Sequence, residues 1–502
     1  MKLIANGWIW RGNLTTRTPK PENILIDGDR IVAVGPGIAP KVVDVIDASG
    51  MLVMPGLVNA HFHSSVNHMK GRLPSLPLEL FMLYESPSLE VLRPTPREAY
   101  VRTLLACMEM LRTGVTAVQD DAFFVPHPAP EIIDAVAQAY EDCGIRARIA
   151  LDQSNLPEAA KLPYLEALLP PDQRAALSAP PSFGTDHLLE CYDHLISRWD
   201  GAAAGRLRAA ASCSAPQRVS PDYAAALQRL AERHNLPLYV HILETRTQRV
   251  FGEERLGGRS LVRLADELGI LTPHANVIHA IWVDDADLDL IARRGATVVH
   301  NPISNLRLGS GVMRFRAIRD RGIPVALGTD EAIADDAVNM WAVAKMTGLI
   351  HNIGQSDYAT WPQAAEVLDC VITGGHLAMH NSGIGSLAPG QLADLFLVDL
   401  DTLAFTPLND LNRQLVYCEN GNSVRMTMVA GRTVFSDGAI TTLNEAALRA
   451  EARAIAADRD DALNAAAALV EPLRPAYREM YLRAAARDVG MNRWVGNGDG
   501  RC

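Results

Sequence analysis

The sequence lacks long apolar stretches and basic runs, and each absence excludes a class of protein. No stretch of about 18 apolar residues occurs, so no membrane span is expected. No run rich in Lys and Arg occurs, and 58 acidic residues outnumber 47 basic ones, which gives a net charge of −11. This balance argues against nucleic acid or an anionic membrane surface as a main partner.

Cysteine is also scarce and irregularly placed. The seven Cys residues are odd in number and include no CxxC pair, so a disulfide framework is not expected. Unpaired cysteines are typical of a reducing compartment. The N-terminal MKLIANGWIWRGN has Trp and polar residues where a signal peptide would carry a continuous apolar core. We therefore expect a cytoplasmic protein that acts on a small-molecule substrate.

What is present is a large apolar content and a strand pattern that appears at both ends of the chain. Apolar residues make up 48% of the 502 residues, which suits a large barrel with an accessory module. β-branched alternation broken by turn residues occupies residues 1–54 and returns in 390–401 and 424–438. Chain ends often lie close together, so residues 1–54 plus 386–445 predict one small β-sandwich module.

Between these ends, helical runs such as PREAYVRTLLACMEMLRTG alternate with short apolar strands. The eight predicted strands are LVNAHFH, VTAVQDD, IRARIALD, LRAAASC, LPLYVHILE, NVIHAIW, ATVVHNP and IPVALGTD. This alternation predicts an α/β protein in which residues 55–385 form a parallel (β/α)8 TIM-type barrel. Residues 446–502 are rich in Ala and Arg and predict a helical extension. That extension packs on the barrel or joins subunits, so we expect a homodimer or homotetramer.

Polar and titratable side chains follow the apolar runs of the predicted strands. Chemistry in such barrels occurs at the C-terminal ends of the strands, whereas a solvated surface would scatter these residues. His61 and His63 are two apart on a strand, so both imidazoles point to the same face. Two neutral imidazoles are a common beginning of a metal site, and a chance pair of ordinary histidines is the alternative. The strand-end residues are His61, His63, Asp120, Asp121, His241, His279, His300, Asn301 and Asp330.

Five motifs carry a resemblance to a known family. NAHFH, VHILET, IHA, HNPISNLRLGSG and ALGTD occur in this order and at barrel-like spacing. With the Pro-Gly before the first barrel strand and the split β-module, they resemble the amidohydrolase superfamily over about residues 1–445. The likeness is greatest to its cytosine-deaminase-like branch. That branch includes adenosylhomocysteine and methylthioadenosine deaminases, guanine-type deaminases and triazine chlorohydrolases.

The resemblance implies a set of metal ligands. His61 and His63 match the first-strand pair, His241 matches the next ligand, and Asp330 matches the aspartate that binds metal and shuttles a proton. The first barrel strands hold no lysine suited to carbamylation between two metals, so one divalent metal per chain is expected. Zn²⁺ is the first expectation, and Fe²⁺ is an alternative because both accept His and carboxylate ligands.

The resemblance also implies the acid/base groups. Glu244, three residues after His241, matches the acid/base glutamate of the deaminases, and His279 matches a histidine that contacts the bound water or the tetrahedral intermediate. Three imidazoles and one carboxylate leave a coordination position open for water, as catalytic sites do. A bound ion lowers the pKa of this water toward about 7 and so gives a hydroxide nucleophile. Glu244 then protonates a ring nitrogen of the substrate, and Asp330 accepts the proton of the water.

Each of these residues has a structural alternative. Glu244 would instead form a salt bridge with Arg246, and His279 would be a buried histidine at a strand end. Asp330 would instead cap the helix that follows it.

Five further residues are candidates for substrate binding. Glu85 falls near a glutamate that binds ribose hydroxyls in nucleoside-acting relatives. The segment GTDEAIADDAVNMW departs from the pattern of the branch, because it adds Glu331 and two aspartates after Asp330. Extra carboxylates favour a substrate with amino, amidine or guanidine-like character. The five candidates are His68, Glu85, Asp121, Asn305 and Glu331.

The sequence therefore predicts a metal-dependent aminohydrolase, a hydrolase of carbon–nitrogen bonds other than peptide bonds. Metal-bound hydroxide would attack an sp² carbon of an amino-substituted N-heterocycle and release ammonia. The alternative is a hydrolase with another leaving group, namely chloride or an alkylamine from a triazine, or an amine from a urea-like or amide-like bond. A metal-free scaffold protein is disfavoured because all the ligands are present. The motifs do not identify the heterocycle.

Overall fold

The computed structural model describes residues 1–12, 20–38, 44–353 and 356–494. No helix among these residues is both long enough and apolar enough to cross a membrane. The six cysteines within these ranges are free thiols, and Cys502 lies outside them.

The strands occur in three sheets, one from the chain ends and two from the middle of the chain. In chain order the strands of the described residues are β1 (Lys2–Ile9), β2 (Glu22–Asp27), β3 (Arg30–Gly35), β4 (Asp44–Asp47), β5 (Met51–Pro55), β6 (Leu57–His63), β7 (Val115–Ala122), β8 (Arg146–Leu151), β9 (Leu207–Ala209), β10 (Ala211–Ser212), β11 (Leu238–Ile242), β12 (Ala275–His279), β13 (Thr297–His300), β14 (Val325–Leu327), β15 (Asp330–Glu331), β16 (Leu395–Asp399), β17 (Val424–Val429), β18 (Arg432–Ser436) and β19 (Ala439–Ile440).

Helices follow most of the middle strands, and a π-helical turn, Cys370–Gly374, joins two of them. The α-helices of the described residues are α1 (Leu78–Glu85), α2 (Pro96–Arg112), α3 (Pro130–Cys143), α4 (Leu165–Leu168), α5 (Pro171–Leu177), α6 (Thr185–Trp199), α7 (Ala202–Gly205), α8 (Pro221–His234), α9 (Arg246–Arg255), α10 (Leu261–Glu267), α11 (Asp285–Arg294), α12 (Pro302–Arg307), α13 (Phe315–Asp320), α14 (Met340–Ile350), α15 (Ala364–Asp369), α16 (Gly375–Ala378), α17 (Leu411–Tyr417), α18 (Glu445–Val470) and α19 (Arg474–Ala486).

Local sequence signals set the ends of the helices. Helix α2 begins with Pro at its first position, and the Thr95 hydroxyl accepts a hydrogen bond from the backbone N–H of Glu98 at 3.2 Å. Helix α8 begins in the same way after Ser220 and ends at Asn235, which adopts a left-handed conformation with φ 52°. These signals hold each helix to the length that spans one side of the barrel.

Two five-stranded parallel sheets supply the barrel strands. Their orders are β15-β6-β7-β8-β9 and β10-β11-β12-β13-β14. Only Ala210 separates β9 from β10, and only Gly328 and Thr329 separate β14 from β15. Each break still contacts a neighbouring strand, because Ala210 N donates to Ile149 O at 2.9 Å and Gly328 N donates to His300 O at 3.1 Å. The eight strand positions are those that the sequence predicts.

Small side chains fill the inside of the barrel. A narrow parallel barrel holds layers of inward-pointing side chains, so alternating small and branched residues allow its strands to approach closely. Tyr239 is the large exception and is fully buried. The apolar cluster inside the barrel contains these residues of the barrel strands and of the break between β9 and β10: Val58, Ala60, Ala117, Ala150, Ala210, Tyr239, Ile278, Val299 and Ala326.

The two ends of the chain share one nine-stranded sheet. Its path is β19-β18-β17-β16-β5-β1-β2-β3, with β4 paired to β1. The junction between the ends is the antiparallel pair of β5 with β16, which runs from Pro55↔Leu395 to Met51↔Asp399. The sheet has its own apolar cluster, which includes Ile4, Ile24 and Met428. The predicted module is thus present as a β-sheet, and the boundaries 1–54 plus 386–445, 55–385 and 446–502 stay predictions.

A buried ion pair joins this sheet to the barrel. Arg146 on β8 donates to both carboxylate oxygens of Asp394 at 2.8 and 3.1 Å, and Ala430 N donates to the same carboxylate at 2.7 Å. The exposed fractions of Arg146 and Asp394 are 4% and 2%. Loss of one partner leaves the other charge buried and unpaired, which is far costlier than the loss of a surface pair.

We expect Asp394→Asn to lower the free energy of unfolding by about 3–5 kcal/mol, because it leaves the buried guanidinium of Arg146 without a negative partner. Urea and thermal unfolding of the full chain measure this change. Glu267→Gln is the matched control, since Glu267 pairs with Arg259 at 2.7 Å where both side chains are more than 40% exposed. The control should cost less than about 1 kcal/mol, and equal losses in the two variants would contradict the prediction.

The C-terminal helices lie across the mouth of their own barrel. The helices α18 and α19 contact α2 and α1 respectively. Arg97 of α2 pairs with Glu451 at 2.6 Å, and Arg72 pairs with Asp460 at 2.7 Å. Residues 446–494 therefore pack on the barrel of their own chain, which is one of the two arrangements expected from the sequence. Residues 495–502 of the predicted extension lie outside the described ranges.

Candidate metal centre and active site

Four side chains from three strands of the barrel, β6, β11 and β15, lie close together at one end of the strands. His61 and His63 lie at the end of β6, His241 lies near the end of β11, and Asp330 begins β15. Because parallel strands end at the same edge, residues far apart in sequence converge there. All four are buried, with exposed fractions of 6% or less.

The distances among these four residues match those of ligands to one ion. Oδ1 of Asp330 lies 3.4 Å from Nε2 of His61 and 3.5 Å from Nε2 of His63. Nε2 of His241 lies 3.2 Å from Nε2 of His61. Two ligands of a tetrahedral Zn²⁺, each bound at 2.0–2.1 Å, are about 3.3 Å apart. His61, His63 and Asp330 therefore fit a single divalent metal ion, and His241 lies close beside His61 as the candidate fourth ligand.

The outer nitrogens of two imidazoles are fixed by the backbone. Nδ1 of His241 is 2.8 Å from the carbonyl oxygen of Ser214, and Nδ1 of His63 contacts the carbonyl oxygen of Asp121. A carbonyl accepts only a hydrogen bond, so these contacts place the proton on Nδ1 and leave Nε2 free. Such contacts orient metal-binding imidazoles and raise their basicity.

Burial and neighbouring charges put His61, His241 and Asp330 in the charge states that a metal requires. Burial lowers the pKa of His61 to about 4 and the pKa of His241 well below its ordinary value. Both rings are therefore neutral at pH 7. Burial alone would raise the pKa of Asp330, but the hydrogen bond and charge of His61, with His279 and His63, lower it below its ordinary value. Asp330 is thus ionised.

Glycine and positive backbone angles allow this convergence. A Cβ on Gly328 would lie 2.6 Å from Oδ1 of Asn301 and 2.8 Å from the backbone nitrogen of His61, so only glycine fits beside the ligand strand. His279 and Asp330 have φ values of 72° and 65°, in a region that non-glycine residues rarely adopt. Such conformations persist where the surroundings hold them, and they cluster at functional sites.

Glu244 and His279 lie beside the four ligands. Oε2 of Glu244 is 3.6 Å from Nε2 of His279, which in turn is 3.8 Å from Oδ2 of Asp330. Burial raises the pKa of Glu244, so its carboxyl group holds a proton to higher pH than an exposed glutamate. The alternative pair with Arg246 is not formed, because that guanidinium donates to the carbonyl oxygen of Arg487.

The metal centre opens into a cavity of about 610 Å³, a volume typical of small-molecule sites. Helix α1 and the loops after β7, β8 and β10 form its walls, and α18 and α19 form its roof. Besides the metal-site residues, its polar and charged lining includes Glu79, Glu85, Asp152, Gln153, Glu158, Lys161, Gln217, Arg218, Glu244 and Glu331. The roof contributes Leu469, Val470, Leu473 and Tyr477.

Of the five candidate substrate contacts, two lie together in this cavity. The carboxyl groups of Glu85 and Glu331 are hydrogen-bonded to each other. Burial first, and then the neighbouring carboxylates, raise the pKa of Glu331 well above its ordinary value. Burial also raises the pKa of Glu85. One proton shared by the two groups satisfies this arrangement.

The other three candidates are outside the lining of this cavity. Asp121 is fully buried in the barrel, where burial and Asp152 raise its pKa. The side chain of Asn305 holds His279, with its Oδ1 2.8 Å from Nδ1 of the ring. His68 faces a smaller cavity on the other side of Glu85. Contact of these three residues with a substrate stays a prediction, because none of them lines the main cavity.

The roles of several site residues could not be recognised in the sequence. Ser304 donates to Oδ2 of Asp330 at 2.8 Å, and Ser310 donates to Oε1 of Glu244 at 3.3 Å. Both serines stand in the motif HNPISNLRLGSG, so the motif locates them without giving their roles. Tyr477 and Leu473 of the roof lie more than 140 residues after Asp330, and only the folded chain brings them to the cavity.

Comparison with known sequences gives consistent results. The model of the amidohydrolase family matches residues 52–434. A 5-methylthioadenosine/S-adenosylhomocysteine deaminase of Nitratidesulfovibrio vulgaris is 34% identical over 427 residues, which cover 84% of this chain and 89% of the relative. A 5′-deoxyadenosine deaminase of Methanosarcina mazei is 29% identical over 451 residues, which cover 90% of this chain and 96% of the relative.

Solved structures share the fold. An adenosine deaminase from Xanthomonas campestris with bound zinc has a TM-score of 0.77 and 26% identity over 91% of this chain and 98% of its own. Atrazine chlorohydrolase from Arthrobacter aurescens, complexed with zinc, has a TM-score of 0.80 over 91% of this chain and 100% of its own. Its identity is 21%, so this likeness shows the fold alone.

These similarities bear on the sequence-based predictions. The fold class is confirmed, and so are a hydrolase of carbon–nitrogen bonds other than peptide bonds and a metal-dependent deaminase. The zinc-bound neighbours and the cluster of His61, His63 and Asp330 support a divalent metal centre. From the match over residues 52–434 and the 34% identical relative, it follows that this chain belongs to the amidohydrolase family.

Proposed function

We propose that the protein is a zinc-dependent deaminase of adenosine-type nucleosides, which replaces the amino group of the purine with oxygen and releases ammonia. The observation that carries the proposal is the placement of Glu244 and His279 beside the ligand set, 3.6 Å from each other. The curated relatives support the substrate class, because they are named for methylthioadenosine, adenosylhomocysteine and deoxyadenosine.

The catalytic groups divide the proton transfers between them. His61, His63, His241 and Asp330 would hold a divalent ion, which would supply the Lewis acidity that makes water nucleophilic near neutral pH. Asp330 accepts the proton that this water loses, and the hydroxyl of Ser304 orients its Oδ2. Glu244 gives its proton to the ring nitrogen beside the carbon under attack, and burial favours this role because it raises the pKa of the carboxyl group.

His279 supports the charge that develops during the attack. Nδ1 of its ring is held by Oδ1 of Asn305 at 2.8 Å, and its Nε2 points toward Glu244 and Asp330. With both ring nitrogens protonated, Nε2–H is a donor held in place before the reaction, and such a donor stabilises developing negative charge without reorganisation. The leaving amino group takes its proton from the same acid/base groups and departs as ammonia.

Ammonia release by the zinc-loaded full chain tests this proposal. We expect turnover of adenosine, 5′-methylthioadenosine, S-adenosylhomocysteine or 5′-deoxyadenosine, with the matching inosine-type product. Free adenine, guanine, cytosine and amino-triazines serve as comparison substrates. Turnover of a free base or a triazine, with none of any nucleoside, would contradict the nucleoside class while leaving a deaminase in place.

Zinc is proposed as the resident metal because three neutral imidazoles and one carboxylate suit a borderline cation. Elemental analysis of protein purified without added metal should find close to one zinc per chain. Iron in that proportion would overturn the choice of metal.

We propose that Glu85 and Glu331 recognise hydrogen-bond donors or positive charge on the substrate. Hydrogen bonds to charged groups contribute about 1.5–3 kcal/mol, against about 0.5–1.5 kcal/mol for neutral pairs. Glu331→Gln should therefore raise KM by about 10-fold or more for a substrate with an ammonium group, and by less than about 5-fold for a neutral one.

S-adenosylhomocysteine and 5′-methylthioadenosine form a suitable pair of substrates for steady-state kinetics. Glu158→Gln is the control, because this carboxylate lines the same cavity but is paired with Lys161 at 2.8 Å. Equal changes in KM for the two substrates would reject charge recognition by Glu331.

We propose a homodimer or homotetramer in the cytoplasm, with a small-molecule substrate and neither nucleic acid nor membrane as a partner. Light scattering coupled to gel filtration measures the mass of the assembly, and a monomer of 54.5 kDa would reject the oligomer.

A further inference from the structure

A second cavity lies beside the active-site cavity, on the far side of Glu85. Its volume is about 50 Å³. The turn Ser64–Met69, helix α2 and helix α18 line it, and it shares Glu85, Phe123, Phe124 and Val125 with the larger cavity. Because one water needs about 10–15 Å³ of such volume, the space suffices for a few waters or one small ion.

A buried guanidinium with its Nε unpaired faces this cavity. Arg102 is 92% buried, and its Nε has no hydrogen-bond partner among the described residues. Within the described ranges no carboxylate lies within 4.0 Å of the Arg102 guanidinium. The comparably buried Arg146 is held by both oxygens of Asp394. A buried charge without a partner is costly, so the contrast points to a missing counter-charge at Arg102.

The nearby carboxyl groups form no ion pair with Arg102. The charge of Glu98 acts on Arg102 without direct pairing, and Glu85, whose pKa burial raises, lines the cavity with one oxygen unpaired. Glu98 stands one helical turn before Arg102 but pairs with Arg459 at 3.2 Å. Asp460 is paired with Arg72 at 2.7 Å. Like Nε of Arg102, Nδ1 of His68 lines the cavity and has no hydrogen-bond partner in the described structure.

The local charges make the space around His68 positive. Burial first, and then Arg102, Arg459 and Arg72, lower the pKa of His68 well below its ordinary value. The ring is therefore neutral, and the tautomer with its proton on Nδ1 offers a donor to the cavity without adding charge. Burial also lowers the pKa of Arg102 to about 10, which leaves the guanidinium charged at neutral pH.

We propose that this cavity binds one small monovalent anion, of the size of chloride or formate, between the guanidinium of Arg102 and Nδ1–H of His68. Charge pairing with Arg102 provides the attraction, and the imidazole donor fixes the position. The turn Ser64–Met69 directly follows His63, so the bound anion links the metal-bearing segment to α2 and α18. This inference does not depend on the proposed substrate.

The anion has two possible sources, a free ion or an anionic substituent of the substrate that passes Glu85. Thermal unfolding of substrate-free, metal-loaded protein separates them. Sodium chloride is exchanged for sodium gluconate at constant ionic strength, because gluconate is too large for the cavity. A free-ion site predicts a rise in Tm of about 2–3 °C at saturating chloride. A response to S-adenosylhomocysteine carboxylate, with none to chloride or formate, would assign the cavity to the substrate and overturn the free-ion proposal.

Two variants locate the response. Arg102→Met removes the charge and should abolish the chloride-dependent shift, while raising Tm in gluconate because an unpaired buried charge is gone. Arg97→Met is the matched control on the same helix, where Arg97 is paired with Glu451 and is largely exposed. The control should keep the chloride response. An unchanged response in Arg102→Met would refute the site.

A crystal of the unaltered protein soaked in bromide gives a test that needs no variant. We expect an anomalous peak within about 3.5 Å of the Arg102 guanidinium, because an N–H donor and a halide approach at contact distance. Water-like density in the cavity with no anomalous signal, together with no chloride-dependent Tm, would show that the cavity holds water only.

Discussion

Replacing Glu244 with Gln is expected to lower kcat/KM for deamination by about 10²–10⁴-fold, because the variant keeps the shape of the side chain but cannot transfer a proton. Glu244 is the buried acid nearest to His279, and the hydroxyl of Ser310 and the side chain of Gln248 hold it in place. The loss should appear in kcat more than in KM, since proton transfer acts in the transition state.

The measurement is initial-rate ammonia release with the metal content determined for each preparation. Glu244→Gln should bind as much metal as the wild type, because Glu244 is not among the four proposed ligands. The control Glu158→Gln changes another carboxyl of the same cavity and should stay within about 3-fold of wild type, since exposed ion pairs contribute little. Retention of more than a tenth of the wild-type kcat by Glu244→Gln would reject its role as the proton donor.

Removing the metal is expected to abolish activity, and one equivalent of Zn²⁺ per chain is expected to restore it. Without the ion, water at this site keeps its ordinary pKa near 15.7 instead of about 7, so the nucleophile is lost. Dialysis against a chelator followed by titration with Zn²⁺ measures both steps. Full activity in a preparation that elemental analysis shows to be metal-free would refute a metal-dependent reaction.

His241→Ala separates metal binding from folding in the same experiment. The variant should not recover activity at stoichiometric Zn²⁺, and its Tm should no longer rise with added metal, because binding to the native state alone raises Tm. His274→Ala is the control, since His274 stacks on His380 away from the ligand set. The control should respond to Zn²⁺ as the wild type does.

The parts of the site that could be predicted are those that the strand order positions. His61, His63, His241 and Asp330 each follow an apolar strand, and parallel strands of a barrel end at one edge, so local sequence was sufficient to bring them together. The same logic gave the eight strands and the pairing of the chain ends as a sheet.

The rest depended on contacts between distant segments that have no common pattern. Glu85 ends α1, and its contact with Glu331 joins residues 246 positions apart. Asp121 was expected to line the cavity from its place at a strand end, but the alternation of side chains on β7 turns it into the barrel. The position of α18 and α19 above the cavity depends on packing of Val470, Tyr477 and Met480 against Leu80 and Leu83, a contact between distant segments that periodicity cannot show.

The junction of β5 with β16 has a consequence for the order of events during synthesis. Ribosomes add about 5–20 residues per second, and about 340 residues separate Pro55 from Leu395. One edge of β5 is therefore without its partner for about 20–70 s while the barrel is made. An unpaired strand edge is a template for association with other chains. The edge of β5 stays unpaired in the nascent protein until the last quarter of the chain emerges. The yield in cells therefore depends on how well this edge is protected from association with other chains during that time.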